Sequence, residues 1–394
     1  MRVQAQIDPD KRELVQLGYN EPIEGEAPLS AYAFYYYNRP NFLDDSNLTL
    51  RLAIAPVYID SELGISHALG EHTDFGLGLA GGGFADSYYE VREGQYLQSE
   101  SFDGNGATLS GNIYHLFNPT QMIPLNGVLR GELHYVNYVR TDSTAGNFEL
   151  PRDGTSLNVR TGFRLGGKEP VLIPNLALEL SAWYEAEFRQ NSGEYGFPTG
   201  GMEGDREVVP ISHIFWARAL FAYTLPSSNV DFMVSVTAGD SIHADRFSTY
   251  RLGGLLPLAS EFPLILPGYY YQEISANQFV LANGNINVPL DAKCRWSINA
   301  VGSVATVNYL PGLEQPGHLQ SGVGGGLTYR STSGAWQIML DYGFGFQAIR
   351  DRGQGAQSVG LLLQFNLVRT GSEYYNPGDS GFLRGMEGFL HSFE

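Results

Sequence analysis

Cysteine is nearly absent from this 394-residue chain. A lone Cys294 cannot form an intramolecular disulfide or supply a zinc site built from several thiolates. Charge is sparse too: charged residues are 17% of the chain, against roughly 25% in ordinary soluble domains. Lysine is reduced to Lys11, Lys168 and Lys293. The 24 basic residues face 42 acidic ones, a net charge of −18. That balance excludes the clustered basic face that binding to nucleic acid requires. No apolar run reaches the length of about 18 residues that marks a transmembrane helix. A transmembrane strand needs no such run, because its lipid-facing and lumen-facing residues alternate. Residues 1–8 lack the apolar stretch of a signal peptide, so a processed chain, or one whose start lies further upstream, is expected.

Glycine and aromatic residues are abundant, with 48 Gly, 24 Tyr and 22 Phe. This argues against a disordered chain, which is poor in aromatics. Along most of the chain, apolar residues recur with period two, the signature of strands. Leu48, Leu50, Leu52 and Ile54 oppose Thr49, Arg51, Ala53 and Ala55. Leu176, Leu178, Leu180, Ala182, Tyr184, Ala186 and Phe188 oppose a row containing Glu179, Ser181, Trp183, Glu185 and Glu187. Trp336, Ile338, Leu340, Tyr342, Phe344 and Phe346 form a third such row. Many of these segments exceed the five or six residues usual in globular sheets and match the roughly 9–11 that a tilted strand needs in a bilayer. Polar, Gly-rich stretches such as 142–147 and 353–357 separate them and read as turns. The fold class expected is all-β: a transmembrane antiparallel β-barrel of roughly 14 to 16 strands. Its organisation is expected to be a polar N-terminal segment at 1–28, leader- or plug-like, a barrel at 29–368 and an extension at 369–394. Tyr35, Tyr36, Tyr37, Tyr88, Tyr89, Tyr138, Tyr269, Tyr270 and Tyr271 are expected to form interfacial girdles.

The apolar rows carry no charge, whereas the opposite rows do, so the charged rows are assigned to the lumen. Arg130, Glu132, Arg160, Arg164, Glu179 and Glu185 are the candidate pore-lining residues. They either cross-link the interior or line a constriction that selects solutes. No enzymatic chemistry is expected. The eight histidines are dispersed without metal-binding spacing. A pair such as His134 and Ser181 would need proximity that the sequence does not disclose. Gly76, Gly78 and Gly81 match a dinucleotide pattern, but Gly82, Gly83 and Phe84 follow where a helix is needed. No cofactor or metal is expected. Partners are outer-membrane lipids and lipopolysaccharide, with unfolded outer-membrane polypeptides or small solutes as cargo.

Two stretches carry a more specific signal. Phe247-Ser248-Thr249-Tyr250-Arg251-Leu252-Gly253-Gly254 precedes Leu266-Pro267-Gly268-Tyr269. Later, Gly324-Gly325-Gly326-Leu327-Thr328-Tyr329 leads to Leu340-Asp341-Tyr342-Gly343. Together these resemble the BamA/TamA outer-membrane superfamily and the related barrels of patatin-type phospholipases, over about residues 245–368. The resemblance implies a barrel of 16 strands in a bacterial outer membrane and a long loop folding back into the lumen. It singles out Arg251, Gly253, Gly254, Gly268, Tyr269 and Asp341 as the lumen-loop and motif residues. It implies a plugged or laterally gated barrel for protein assembly or translocation, with a porin-like channel and an outer-membrane lipid-modifying enzyme as the alternatives. The chain departs from the family at the loop tip, where Pro267 replaces the arginine that makes a lumen-anchoring salt bridge. Neither POTRA modules nor a patatin nucleophile motif is present, so a barrel-only relative is expected.

Overall fold

The computed structural model describes residues 7–8, 10–167, 176–198, 206–256 and 262–369. The barrel opens with β1 (Arg12–Pro22), β2 (Ser30–Pro40), β3 (Leu48–Ala55) and β4 (Tyr58–Gly70). It continues with β5 (Thr73–Gly82), β6 (Phe102–Leu116), β7 (Leu125–Arg140) and β8 (Gly154–Gly167). β9 (Leu176–Arg189), β10 (Ile211–Leu225), β11 (Val230–Ile242) and β12 (Ile274–Pro289) follow. It ends with β13 (Trp296–Tyr309), β14 (Leu319–Arg330), β15 (Trp336–Arg350) and β16 (Gly353–Asn366). Each strand pairs antiparallel with its chain neighbours, and β1 pairs with β16 from Leu14↔Asn366 to Pro22↔Ser358, closing the barrel. A three-residue strand, Tyr250–Leu252, adds itself to β12.

The barrel is inside-out relative to a soluble protein. Leu109, Leu133, Phe163 and Leu340 point outward and are 54–58% exposed, while Glu62, Glu179, Arg218 and Asp341 point inward and are at most 8% exposed. An apolar surface this continuous belongs against lipid. Closure pairs the backbone groups around the ring, which makes a barrel viable in hydrocarbon.

Three expectations need correction. Residues 12–22, assigned to a leader, form β1: Val15, Leu17 and Tyr19 face out while Gln16, Gly18 and Asn20 face in. Flanking charges and a polar inner row hid that short alternation. Residues 353–357 are strand, not turn. Tyr88, Tyr269 and Tyr270 are buried, not interfacial. The extension at 369–394 lies, past Arg369, outside the described residues.

The two ends differ. Connections after odd-numbered strands include the long segments 83–101, 141–153, 190–210 and 243–273; those after even-numbered strands are short and share their end with the start of β1 and the end of β16. Outer-membrane barrels place long loops outside and short turns in the periplasm. The long loops knit into a roof. Tyr88, Phe102, Phe148, Tyr195 and Val208 form a buried cluster, with Phe247 and Tyr138 packed on it. Beside it Glu90, fully buried, takes Arg246 at 3.2 Å, Arg92 at 3.2 Å and Arg206 at 3.4 Å. Burial pushes the Glu90 carboxyl up, but the guanidinium groups of Arg246 and Arg206 outweigh it and hold it below its ordinary range.

Candidate functional site

The 243–273 connection turns inward, and its described residues 253–256 and 262–270 meet lumen-facing positions of the wall. Gly253 begins the turn at φ +140°; a Cβ there would stand 2.1 Å from the Tyr270 carbonyl oxygen, so only glycine fits. The Gly253 N–H donates to the Leu264 carbonyl (3.0 Å) and the Leu266 N–H to Gly254 (3.0 Å), which folds the segment into a narrow hairpin. Arg251 ties the hairpin base to the roof: it donates to the carbonyls of Tyr89 (2.9 Å) and Gln272 (3.1 Å) and lies over the Tyr88 ring.

The loop tip rests on a glycine furrow. The inward positions of β14 and β15 include Gly322, Gly324, Gly326, Gly343 and Gly345, and Gly360 lies inward on β16. A Cβ at Gly322 would meet the Pro267 carbonyl at 2.2 Å, one at Gly345 the Tyr269 ring at 2.8 Å, and one at Gly360 Leu256 at 2.8 Å. Gly268, at φ +85°, leaves a Cβ only 1.9 Å from the Gly345 nitrogen. Backbone thus lies on backbone, a contact that side chains would prevent. Tyr269 is fully buried and donates to Gln320 (2.6 Å), which in turn donates to Tyr309 (2.6 Å).

The anchor that Pro267 cannot provide comes from the wall. Arg350 pairs with Glu273 through two contacts (2.9 and 3.1 Å), donates to the Gly268 carbonyl (3.3 Å) and stacks 3.6 Å from the Tyr270 ring centroid. Both charged side chains are at most 2% exposed. Arg350 points inward because the β15–β16 ladder breaks between Gly345 and Ile349. Inward positions are odd up to Gly345 and even at Ala348 and Arg350, the effect of a bulge. Asp341 faces the lumen below the furrow and accepts from Asn299 (2.8 Å).

Across the lumen, the same loop meets the candidate pore-lining charges. Arg218 grips Glu179 with two bonds (3.0 and 2.7 Å), Arg164 lies 3.9 Å from Glu179, and Arg160 donates to Glu185 (2.6 Å). Phe262 sits against the Arg218 guanidinium (4.5 Å) and that of Arg164 (5.8 Å), and its ring meets Trp183 and Trp216. Arg130 donates to Asn112 (2.8 Å) and lies 3.6 Å from Glu132. These charges are paired with one another. His134 and Ser181 do not meet: His134 bonds Thr108 (2.9 Å), and Ser181 bonds Glu179 (2.9 Å). Sequence reading missed Phe262, Glu273 and Arg350.

No family model and no curated protein sequence matches the chain. Solved structures do. CdiB from Acinetobacter baumannii superposes with a TM-score of 0.57 at 10% identity, over 90% of this chain and 60% of that one. CdiB from Escherichia coli gives 0.56 at 10% identity, over 90% and 63%. BamA from Haemophilus ducreyi lacking POTRA domains 1-3 gives 0.51 at 12% identity, over 90% and 70%. The chain therefore spans about three-fifths of the length of the CdiB chains it matches. The likeness shows the fold: a 16-stranded closed barrel like those of CdiB and BamA.

Proposed function

We propose that this chain is a bacterial outer-membrane barrel of the protein assembly or translocation type, its lumen held shut by the 253–273 loop. The observation that carries the reading is the loop itself, seated on the glycine furrow at one wall and against Arg164, Arg218 and two tryptophans at the other. A pore that selects solutes by a ring of charge needs charged side chains facing an aqueous path. Here Arg160, Arg164 and Arg218 are spent on Glu185 and Glu179, and Phe262 lies against two of them. Unfolded outer-membrane polypeptides are the clients in this reading, lipids and lipopolysaccharide the surroundings, and no catalytic or cofactor step is assigned. The test is to fold the protein into detergent, verify a heat-modifiable band, and compare planar-bilayer conductance with insertion of an unfolded barrel polypeptide into vesicles. Faster insertion without steady conductance is expected. Steady conductance without faster insertion replaces the reading with a porin-like channel.

A further inference from the structure

We propose that the roof encloses a binding site for a small inorganic anion of chloride size, held by Arg206 and Tyr195. Three of the long outer connections build the place. The 83–101 segment brings Glu90, Arg92 and Glu100, the 243–273 segment brings Arg246 and Arg251, and a short hairpin in 190–210 pairs Gly193–Tyr195 with Arg206–Val208. Tyr195 stands directly opposite Arg206 in that hairpin, so the two side chains leave it on one face. Both meet the Phe148 ring, Arg206 at 5.1 Å from its centroid and Tyr195 edge-on at 6.4 Å. Arg206 pairs with Glu100 and lies 3.4 Å from Glu90, both through Nη2. Its Nη1 is buried without a partner, and so is the Tyr195 hydroxyl. The two residues are 5% and 7% exposed.

The charge balance says what is missing. Arg92 and Arg206 contact Glu100, and Arg92, Arg206 and Arg246 contact Glu90. Arg251 lies over the ring of Tyr88, whose hydroxyl donates to Glu90. Among the described residues, four guanidinium groups thus surround two carboxylates, and the side chains of Arg206, Arg246 and Glu90 are at most 8% exposed. Burial holds the Arg206 guanidinium below its ordinary range, and Arg246 and Arg92 press in the same direction against the pull of Glu90. A buried polar group without a partner is costly, the more so when it is charged. A trapped water would accept from Nη1 but leave the excess charge standing. A small anion accepts from Nη1 and from the Tyr195 hydroxyl, and it cancels one positive charge. The enclosure favours a free ion over a phosphate tethered to a lipid, which could not follow it in.

The experiment is chymotrypsin digestion of the full chain, folded in detergent at neutral pH, in sodium chloride or in sodium gluconate of equal ionic strength. Initial rates of cleavage after Tyr88 and Phe148 are followed by mass spectrometry, because both residues are buried in the roof and are cut only when it opens. Cleavage after the exposed Phe84 corrects for any effect of salt on the protease. An ion bound only by the closed roof slows the buried cuts as it saturates; a site half-filled at about 15 mM gives about a tenfold slowing in about 150 mM chloride. The slowing should shrink to less than about twofold in Arg206→Gln and to an intermediate value in Tyr195→Phe, which loses only the hydroxyl. Bromide should replace chloride, and sulfate should not. No chloride effect on the parent means that water fills the place and overturns the proposal. An equal effect in the parent and in Arg206→Gln assigns it to bulk salt and overturns it too, as does protection by sulfate alone. Heat-modifiability verifies the fold of each variant. Should Arg206→Gln fail to fold, a full chloride response in Tyr195→Phe overturns the site.

Discussion

Replacing Arg350 with Met removes the wall's hold on the lumen loop while keeping most of the side chain's volume. Glu273 would remain about 1% exposed, with the Tyr270 N–H as its remaining donor (2.7 Å). Breaking a buried pair in this way costs about 3–5 kcal/mol, because a charge is left uncompensated. The loss falls on the docked state of the loop, which alone unites Glu273, Gly268 and Arg350. Every 1.4 kcal/mol is a factor of ten, so the undocked population should rise by about two to three and a half orders of magnitude. A reporter cysteine at Leu266, fully buried when docked, reads that population through its rate of thiol labelling in a Cys294→Ser background. Labelling about a hundredfold faster or more in Arg350→Met is expected. Adding Glu273→Gln should recover part of the protection, since no buried charge is then stranded. A change within threefold, with no recovery in the double variant, would refute the anchor.

Gly268→Ala should lower the temperature at which the heat-modifiable band unfolds, because its Cβ would stand 1.9 Å from the Gly345 nitrogen at a φ of +85°. The cost is about 2 kcal/mol or more; Gly284→Ala, with nothing within 4 Å of its Cβ, is the control, and equal shifts in the two would contradict the furrow. Phe262→Ala should raise current noise in planar bilayers, since the ring shields Arg218 and Arg164; a record as quiet as that of the parent would show the loop is held elsewhere. The roof should respond to acid. Glu90 is held below its ordinary range, so its contribution is complete above the unfolded carboxyl pKa of about 4.3 and is lost as pH falls through the lower folded value. Roof loops should resist protease unchanged from about pH 7 to 5 and yield below about pH 4; loosening already at about pH 6 would assign the roof to other groups.

Period-two alternation made strands such as β3, β9 and β15 legible, because a lipid-facing row tolerates no charge and a lumen row does. β1 escaped because Glu13, Gln16, Asn20 and Glu21 dilute the outward trio Val15, Leu17 and Tyr19. The glycines were visible as a composition; the structure adds that a loop lies on those of the β14–β16 furrow. Arg350 was illegible for a geometric reason. One bulge reverses the parity of β15, and alternation carried through it points the wrong face inward. Tyr269 and Tyr270 looked interfacial because aromatic pairs beside strands usually are, whereas here the chain re-enters the barrel before resuming at Ile274. Phe262 and Glu273 find partners on β8, β9, β10 and β15, and separations that long leave no local trace.

The furrow also imposes an order of events. The loop at 253–273 precedes β14, β15 and β16 in the chain, so it exists before the surface that receives it. The ring is sealed by the β1–β16 ladder, whose members lie near opposite ends of the chain. Sealing it with the loop outside would strand water in the furrow and leave the Arg350 guanidinium without its carboxylate. In the closed barrel the late strands wrap around the loop as around a mandrel, so the order of folding expected from this topology is threading before zipping of the seam.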